Sequence, residues 1–308
     1  MKQQFSIAEN VFTVSAPDDL QGWKKLDNRF SPFADCSDNE PVLEIDIKTG
    51  SLSPEKEWEC IYSPTYDGIG VITAKVFLTP DSDFVMVFSH VGEEKPRLWM
   101  ILPSQLNHAE IITDREEDSN TPYFIAHALM IAFMIATSAN GTLMIHASSV
   151  IYDGKAYLFQ GKSGTGKSTH SRLWLRHIPG AELLNDDNPL IRFSPDGTAM
   201  AYGSPWSGKT DCYRNISAPV GAFVRIVRDN ENRLVPLSPL MAYASLTPSI
   251  FFMPFLDDKL REIRHKAIER IALTVPVCQM HCRPDADAAL TCMTSLTKNP
   301  QKNKSQKE

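Results

Sequence analysis

The chain has 308 residues, 43% of them apolar and 22% charged, with a formal net charge of −6. This length fits two domains or one large α/β unit, with ample material for a core. The negative balance, with no basic stripe before the C-terminal tail, argues against a nucleic-acid binder, which needs clustered Lys and Arg against phosphate.

Residues 1–120 read as a β-rich region without a chemical motif. Strand-like stretches are expected at 42–47, 70–78, 84–90 and 97–102, separated by turn signals such as Pro80-Asp81-Ser82-Asp83. The charged run 114–119, DREEDS, reads as an exposed loop. The longest apolar stretch, 123–136, follows the helix-start signal Thr121-Pro122 and stops before Ala139-Asn140-Gly141. It is shorter than the roughly 20 residues of a bilayer span, so a buried core helix over 122–138 is expected and no membrane partner. The N-terminus, MKQQFSIAEN, has no apolar signal core. The six cysteines then read as reduced thiols, and a cytoplasmic location is expected.

A strand over 143–152, the turn Asp153-Gly154 and a returning strand over 155–160 form a hairpin. A helix over 167–177 ends at Pro179-Gly180. Short strands follow at 182–184 and 188–193, then 219–228 and 233–237. Helices are expected at 239–246 and 257–273, a strand at 275–280 and a final helix at 285–296. Cys278 in that strand and Cys282 just after it read as incidental thiols, because no second pair supplies metal-ligand spacing. The lysine-rich tail 298–308 has no large apolar residue and reads as disordered. The expected division is therefore a β-rich region 1–120, a catalytic domain 121–297 and the tail 298–308.

The chemistry concentrates in the second half. Gly161, Lys162, Ser163, Gly164, Thr165, Gly166, Lys167 and Ser168 match G-x-x-x-x-G-K-[ST], the phosphate-binding P-loop, between a strand and a helix. The glycines let backbone N–H groups turn inward around an anion, and the helix beginning at Lys167 adds its positive dipole end. Lys167 is the candidate for the β/γ-phosphates, Ser168 for Mg²⁺, and Thr169 extends the binding segment. One helix later, Asp186 and Asp187 close a short strand. Two consecutive acids there can divide the roles of metal support and proton acceptor, since adjacent strand residues point in different directions. His146, between Ile145 and Ala147, reads by itself as a packed strand histidine.

Together His146-Ala147-Ser148-Ser149-Val150, the loop 161–169 and Leu183-Leu184-Asn185-Asp186-Asp187 resemble the catalytic domain of the HPr kinase/phosphorylases, over roughly residues 140–190. The resemblance implies an α/β (α+β) fold of the phosphoenolpyruvate-carboxykinase-like type, a mixed sheet carrying a P-loop. It implies that Lys167 binds phosphate and Ser168 binds Mg²⁺. Asp187 would accept the substrate hydroxyl proton, Asp186 would support the metal, and His146 would stand beside the transferred phosphoryl group. Where family members that phosphorylate the phosphocarrier protein have a Glu-Ile-Arg-Gly type stretch with a metal-ligating Glu, this chain has Gly203-Ser204-Pro205-Trp206-Ser207-Gly208-Lys209-Thr210-Asp211. Lys209 is a candidate contact for phosphate or an anionic substrate, and Asp211 for the metal. The chain is thus similar to divergent members of that family. The expected function is an ATP- and Mg²⁺-dependent kinase acting on a hydroxyl of a small molecule or protein. The alternatives are a nucleotide-binding regulator without transfer, or a phosphorylase or hydrolase of a phosphorylated partner. A homo-oligomer is compatible with the sequence.

Overall fold

The computed structural model describes residues 1–53, 55, 57–63, 72–93, 95–114, 117–208 and 210–297. The chain forms two compact units, Met1–Asn140 with Pro254–Asp257, and Gly141–Met253 with the chain from Asp258 on. The expected boundary lay at 120/121, ahead of the long apolar helix; that helix belongs to the first unit. The tail 298–308 lies outside the described residues.

The first unit holds strands β1 (Lys2–Ile7), β2 (Asn10–Ser15), β3 (Leu43–Thr49), β4 (Glu59–Tyr62), β5 (Ile72–Leu78), β6 (Phe84–His90), β7 (Pro96–Leu102) and β8 (His108–Thr113). They form a mixed sheet in the order β1-β2-β3-β8-β7-β6-β5-β4. Two short helices, α1 (Gln21–Lys24) and α2 (Asp27–Phe30), precede β3, and α3 (Thr121–Ser138) follows β8. Helix α3 packs on β3, β7 and β8. It is the one helix among the described residues long and apolar enough to cross a membrane, and 72% of it is buried. Of the run 114–119, residues 115 and 116 lie outside the described residues and the others form no helix or strand, as expected of a loop; Asp118 pairs with Arg97 at 2.9 Å and Glu117 accepts the backbone N–H groups of Gln21 and Gly22.

The second unit is a mixed sheet with helices on both faces. Its strands are β9 (Leu143–Met144), β10 (Ala147–Tyr152), β11 (Lys155–Gln160), β12 (Glu182–Asp187), β13 (Leu190–Phe193), β14 (Ala199–Tyr202), β15 (Ser217–Arg228), β16 (Arg233–Pro236) and β17 (Val277–Cys282). The order is β12-β10-β11-β15-β14-β13-β9, with β17 joined to β15 and β16. The long β15 serves two neighbours: its first residues pair with β14 and its later ones run parallel to β11 and β17. Strand period two sorts the side chains to opposite faces. Leu158 and Phe223 point toward α5 (Pro239–Leu246) and α6 (Asp258–Thr274), where Leu246, Ile268 and Ile271 bury. Phe159, Val224 and Ile226 point toward α4 (Lys167–His177) and α7 (Ala286–Thr297), where Trp174, Ala288 and Cys292 bury.

Asp153 and Gly154 take the left-handed conformations of the expected tight hairpin between β10 and β11 (φ 50° and 69°). The continuous strand expected over 143–152 is instead two. Leu143 and Met144 pair with β13, whereas Ala147 onward pairs with β11 and β12. Between them the Ile145 N–H donates to the Pro189 carbonyl and the His146 N–H to the Ser249 carbonyl. His146 therefore sits at a change of partner, not inside a ladder. The strand expected at 182–184 continues through both acids to Asp187, and the next begins at Leu190.

Gly203 has no room for a side chain: a Cβ there would overlap the carbonyl oxygen of Arg214 and approach that of Leu184 at 3.3 Å. Gly203→Ala should destabilise the protein by about 3 kcal/mol. Gly180→Ala, at a left-handed φ with open space around it, should cost only about 1 kcal/mol. Urea unfolding of the two variants checks this difference.

Candidate functional site

Strand β11 delivers Gly161, and α4 begins six residues later at Lys167. Gly161, Gly164 and Gly166 take φ values of 148°, 77° and 113°, which L side chains rarely adopt. At Gly161 a Cβ would also meet Thr165 Oγ1 at 2.8 Å. The loop is braced from within: the Thr165 hydroxyl donates to the Lys162 carbonyl at 2.8 Å. Arg228, at the end of β15, donates to the Gly164 carbonyl. Lys162, Ser163 and Gly164 are exposed, while Ser168 and Thr169 are half-buried in the first turn of α4.

Lys167 is 8% exposed. Its Nζ donates to the Gly161 carbonyl at 3.1 Å and lies 2.8 Å from His146 Nε2. An ammonium only donates, so Nε2 is the acceptor and the ring proton resides on Nδ1. Nδ1 faces Asp187 Oδ1 at 3.1 Å. A chain of contacts thus runs from the loop lysine through the histidine to the second acid of the pair. The cause is register: Ala147 lies opposite Asp187 in the antiparallel β10–β12 ladder, which places the residue before Ala147 against that carboxylate. Burial lowers the Lys167 pKa, partly offset by Asp187 and Asp186. Burial raises the Asp187 carboxyl, but His146, Lys167 and Asn188 together hold it below the ordinary carboxylate range.

The two acids have different surroundings. Asp187 is about one-third exposed, and its Oδ2 accepts from Asn188 Nδ2 at 3.0 Å. Asp186 is 3% exposed, and its Oδ1 is buried without a partner. Asp187 has φ 150°, a conformation that favours glycine. The segment 203–208 holds it there. The Gly208 N–H donates to the Asp186 carbonyl at 2.5 Å, and a Cβ on Gly208 would stand 3.1 Å from that of Asp187. Beneath, the fully buried Asn185 donates to the Ser204 carbonyl and hydroxyl at 3.2 Å.

His146, Lys167 and Asp187 are thus in direct contact, with Asp186 buried beside them. Lys209 lies outside the described residues. Asp211 is exposed and accepts from the Tyr213 hydroxyl at 2.7 Å. Sequence reading missed Gly208, Asn188 and Arg228; none carries a motif, and only the fold brings them to the loop and the acids. Among the described residues no group of three His, Cys, Asp or Glu side chains is set to hold a metal. Mg²⁺ commonly takes only one or two carboxylates and completes its shell with phosphate and water. The unpartnered Asp186 Oδ1 and the Ser168 hydroxyl suit that donor type.

No protein-family model matches the chain, and no curated protein matches it. Among solved structures it is similar to the Hpr(Ser) kinase/phosphatase from Coxiella burnetii, with 13% sequence identity and a TM-score of 0.30. The match covers 51% of this chain and 88% of that one. This is a distant structural similarity.

Inside α4 the 2%-exposed His170 accepts from Trp174 Nε1 at 3.2 Å, and burial pushes its pKa down to about 4. The unfolded chain takes up this proton first, so stability is lost as pH falls from 6.5 toward 4. The loss attributable to His170 should reach about 3 kcal/mol. His170→Gln should flatten that part of the stability–pH curve, measured by urea unfolding at each pH.

Proposed function

We propose that the chain is an ATP-dependent kinase that transfers the γ-phosphoryl group to a hydroxyl, with Mg²⁺. The observation that carries this reading is the Lys167–His146–Asp187 chain of contacts, which joins the glycine-rich loop to a carboxylate kept ionised at neutral pH. Lys167 has three donors. Two are engaged by the protein and one is left for a phosphate oxygen, with the loop N–H groups and the α4 N-terminus around it. Mg²⁺, held by Ser168 and Asp186, would neutralise charge on the phosphates.

In the reaction the acceptor oxygen bonds to the γ-phosphorus and the bond to the β–γ bridging oxygen breaks. The bridging electrons leave with ADP, and the acceptor's proton passes to Asp187. His146 aims Asp187 by donating from Nδ1, and it accepts from Lys167, so the base and the phosphate-binding cation are fixed relative to each other. Each Asp187 oxygen has one protein donor, His146 at Oδ1 and Asn188 at Oδ2, which leaves acceptor capacity on both for the proton.

A nucleotide-binding regulator without transfer is the second reading. What favours it is the segment 203–208 over the acids, GSPWSG, which brings no carboxylate to the metal position. Transfer from γ-labelled ATP into a metabolite extract separates the two. Asp187→Asn should lower kcat by about 10²–10⁴-fold with nucleotide affinity retained; full transfer by that variant would overturn the assignment of the base. Lys167→Ala should weaken ATP binding by roughly tenfold to a hundredfold, read by calorimetry.

A further inference from the structure

Beside the loop lies a second, separate feature of the same unit. The chain from Thr247 to Phe252 passes along His146: the Ser249 carbonyl accepts the His146 N–H at 2.7 Å, and the Phe251 N–H donates to the Met144 carbonyl at 2.9 Å. Between this segment, the break after β9 and helix α6 is a cavity of about 430 Å³, lined among others by Met144, His146, Asn188, Ser249, Phe252 and Arg264. Two of these side chains, His146 and Asn188, are hydrogen-bonded to Asp187 itself. A molecule in the cavity is therefore one side chain away from the carboxylate that would take its proton.

The lining also restricts the ligand. A volume near 430 Å³ suits a small molecule. Among the described residues no Asp or Glu lines the cavity, and Arg264 is the one Arg or Lys that does. The Arg264 Nη2 donates to the Thr247 and Ile250 carbonyls at 2.9 and 3.2 Å, and its guanidinium lies 4.8 Å from the Phe252 ring. Its Nε is buried without a partner. The guanidinium is thus fixed and partly desolvated, with carbonyls and a ring against it and no carboxylate. Such a cation is incomplete without an anion, and with Nη2 given to the two carbonyls it is Nη1 that is left to donate to a carboxylate. Met144, Ile250 and Phe252 offer apolar contact to a carbon skeleton.

We infer that this cavity seats the phosphoryl acceptor, and that the acceptor is a small hydroxy carboxylic acid. Its carboxylate meets Arg264 and its hydroxyl lies at His146 and Asn188, the two side chains that contact Asp187. The acceptor role rests on the kinase reading above; the ligand class does not, because it can be tested without ATP.

The probes are D-glycerate and 3-hydroxypropionate, with glycerol and 1,3-propanediol as uncharged counterparts, titrated into the full chain by calorimetry. Both acids should bind at millimolar concentration and the uncharged alcohols should not. Arg264→Gln should weaken acid binding about tenfold or more and leave ATP affinity unchanged. Because Arg264 also ties two carbonyls, Ser249→Glu provides a second variant: a carboxylate placed in the cavity should repel the acids without removing any contact of Arg264. Equal binding of acids and uncharged alcohols, absence of acid binding, or wild-type acid affinity in both variants would overturn the inference. Labelled transfer to a protein and to neither acid would also overturn it, while leaving the kinase reading intact. Acid binding without transfer to any acceptor sinks the kinase reading and the acceptor role with it.

Discussion

The site depends on the chain changing sheet partners at Ile145 and His146. A strand continuing straight from Leu143 would bury His146 or turn it away, according to its parity in the ladder. Instead two backbone hydrogen bonds, to Pro189 and Ser249, carry the chain from one pairing to the next. The histidine emerges between them with its ring free to bridge Lys167 and Asp187. The β10–β12 register then fixes which acid it meets. The cavity has the same origin, since the Thr247–Phe252 segment that forms its wall is the partner His146 and Met144 take at the break.

The conformation of the loop was legible because its constraints are local. Glycines at three positive-φ positions, a strand before and a helix after are all written within about a dozen residues. The hairpin at Asp153-Gly154 was legible for the same reason. The first hairpin was not: β1 and β2 turn through Ala8 and Glu9, both at positive φ, and neither residue is a turn signal. The interruption at His146 was likewise hidden, because Leu143 to Tyr152 is uniformly strand-like and only the distant residues Pro189 and Ser249 divide it. The acid pair was readable as a pair. That one member is buried with an open valence and the other held in a glycine-like conformation depends on residues about twenty positions further on.

Those residues show how polar groups stabilise an exact backbone path. Asn185 and Ser204 are both fully buried, where an unmet donor costs about 1–3 kcal/mol. Each satisfies the other, and Ser204 also donates to the Asn188 carbonyl at 2.7 Å. Strand β12 and the segment 203–208 are therefore locked in register by groups that tolerate little displacement, and the position of Gly208 over the acids follows from that lock.

The conformation of Asp187 sets stability and chemistry against each other at a single residue. An aspartate at φ 150° carries backbone strain on the order of 1 kcal/mol or more, which glycine would relieve. Random mutagenesis selected only for heat resistance would thus favour glycine at this position, while selection for turnover would restore the carboxylate. The residue is one at which the evolutionary pressures on folding and on reactivity can be read separately.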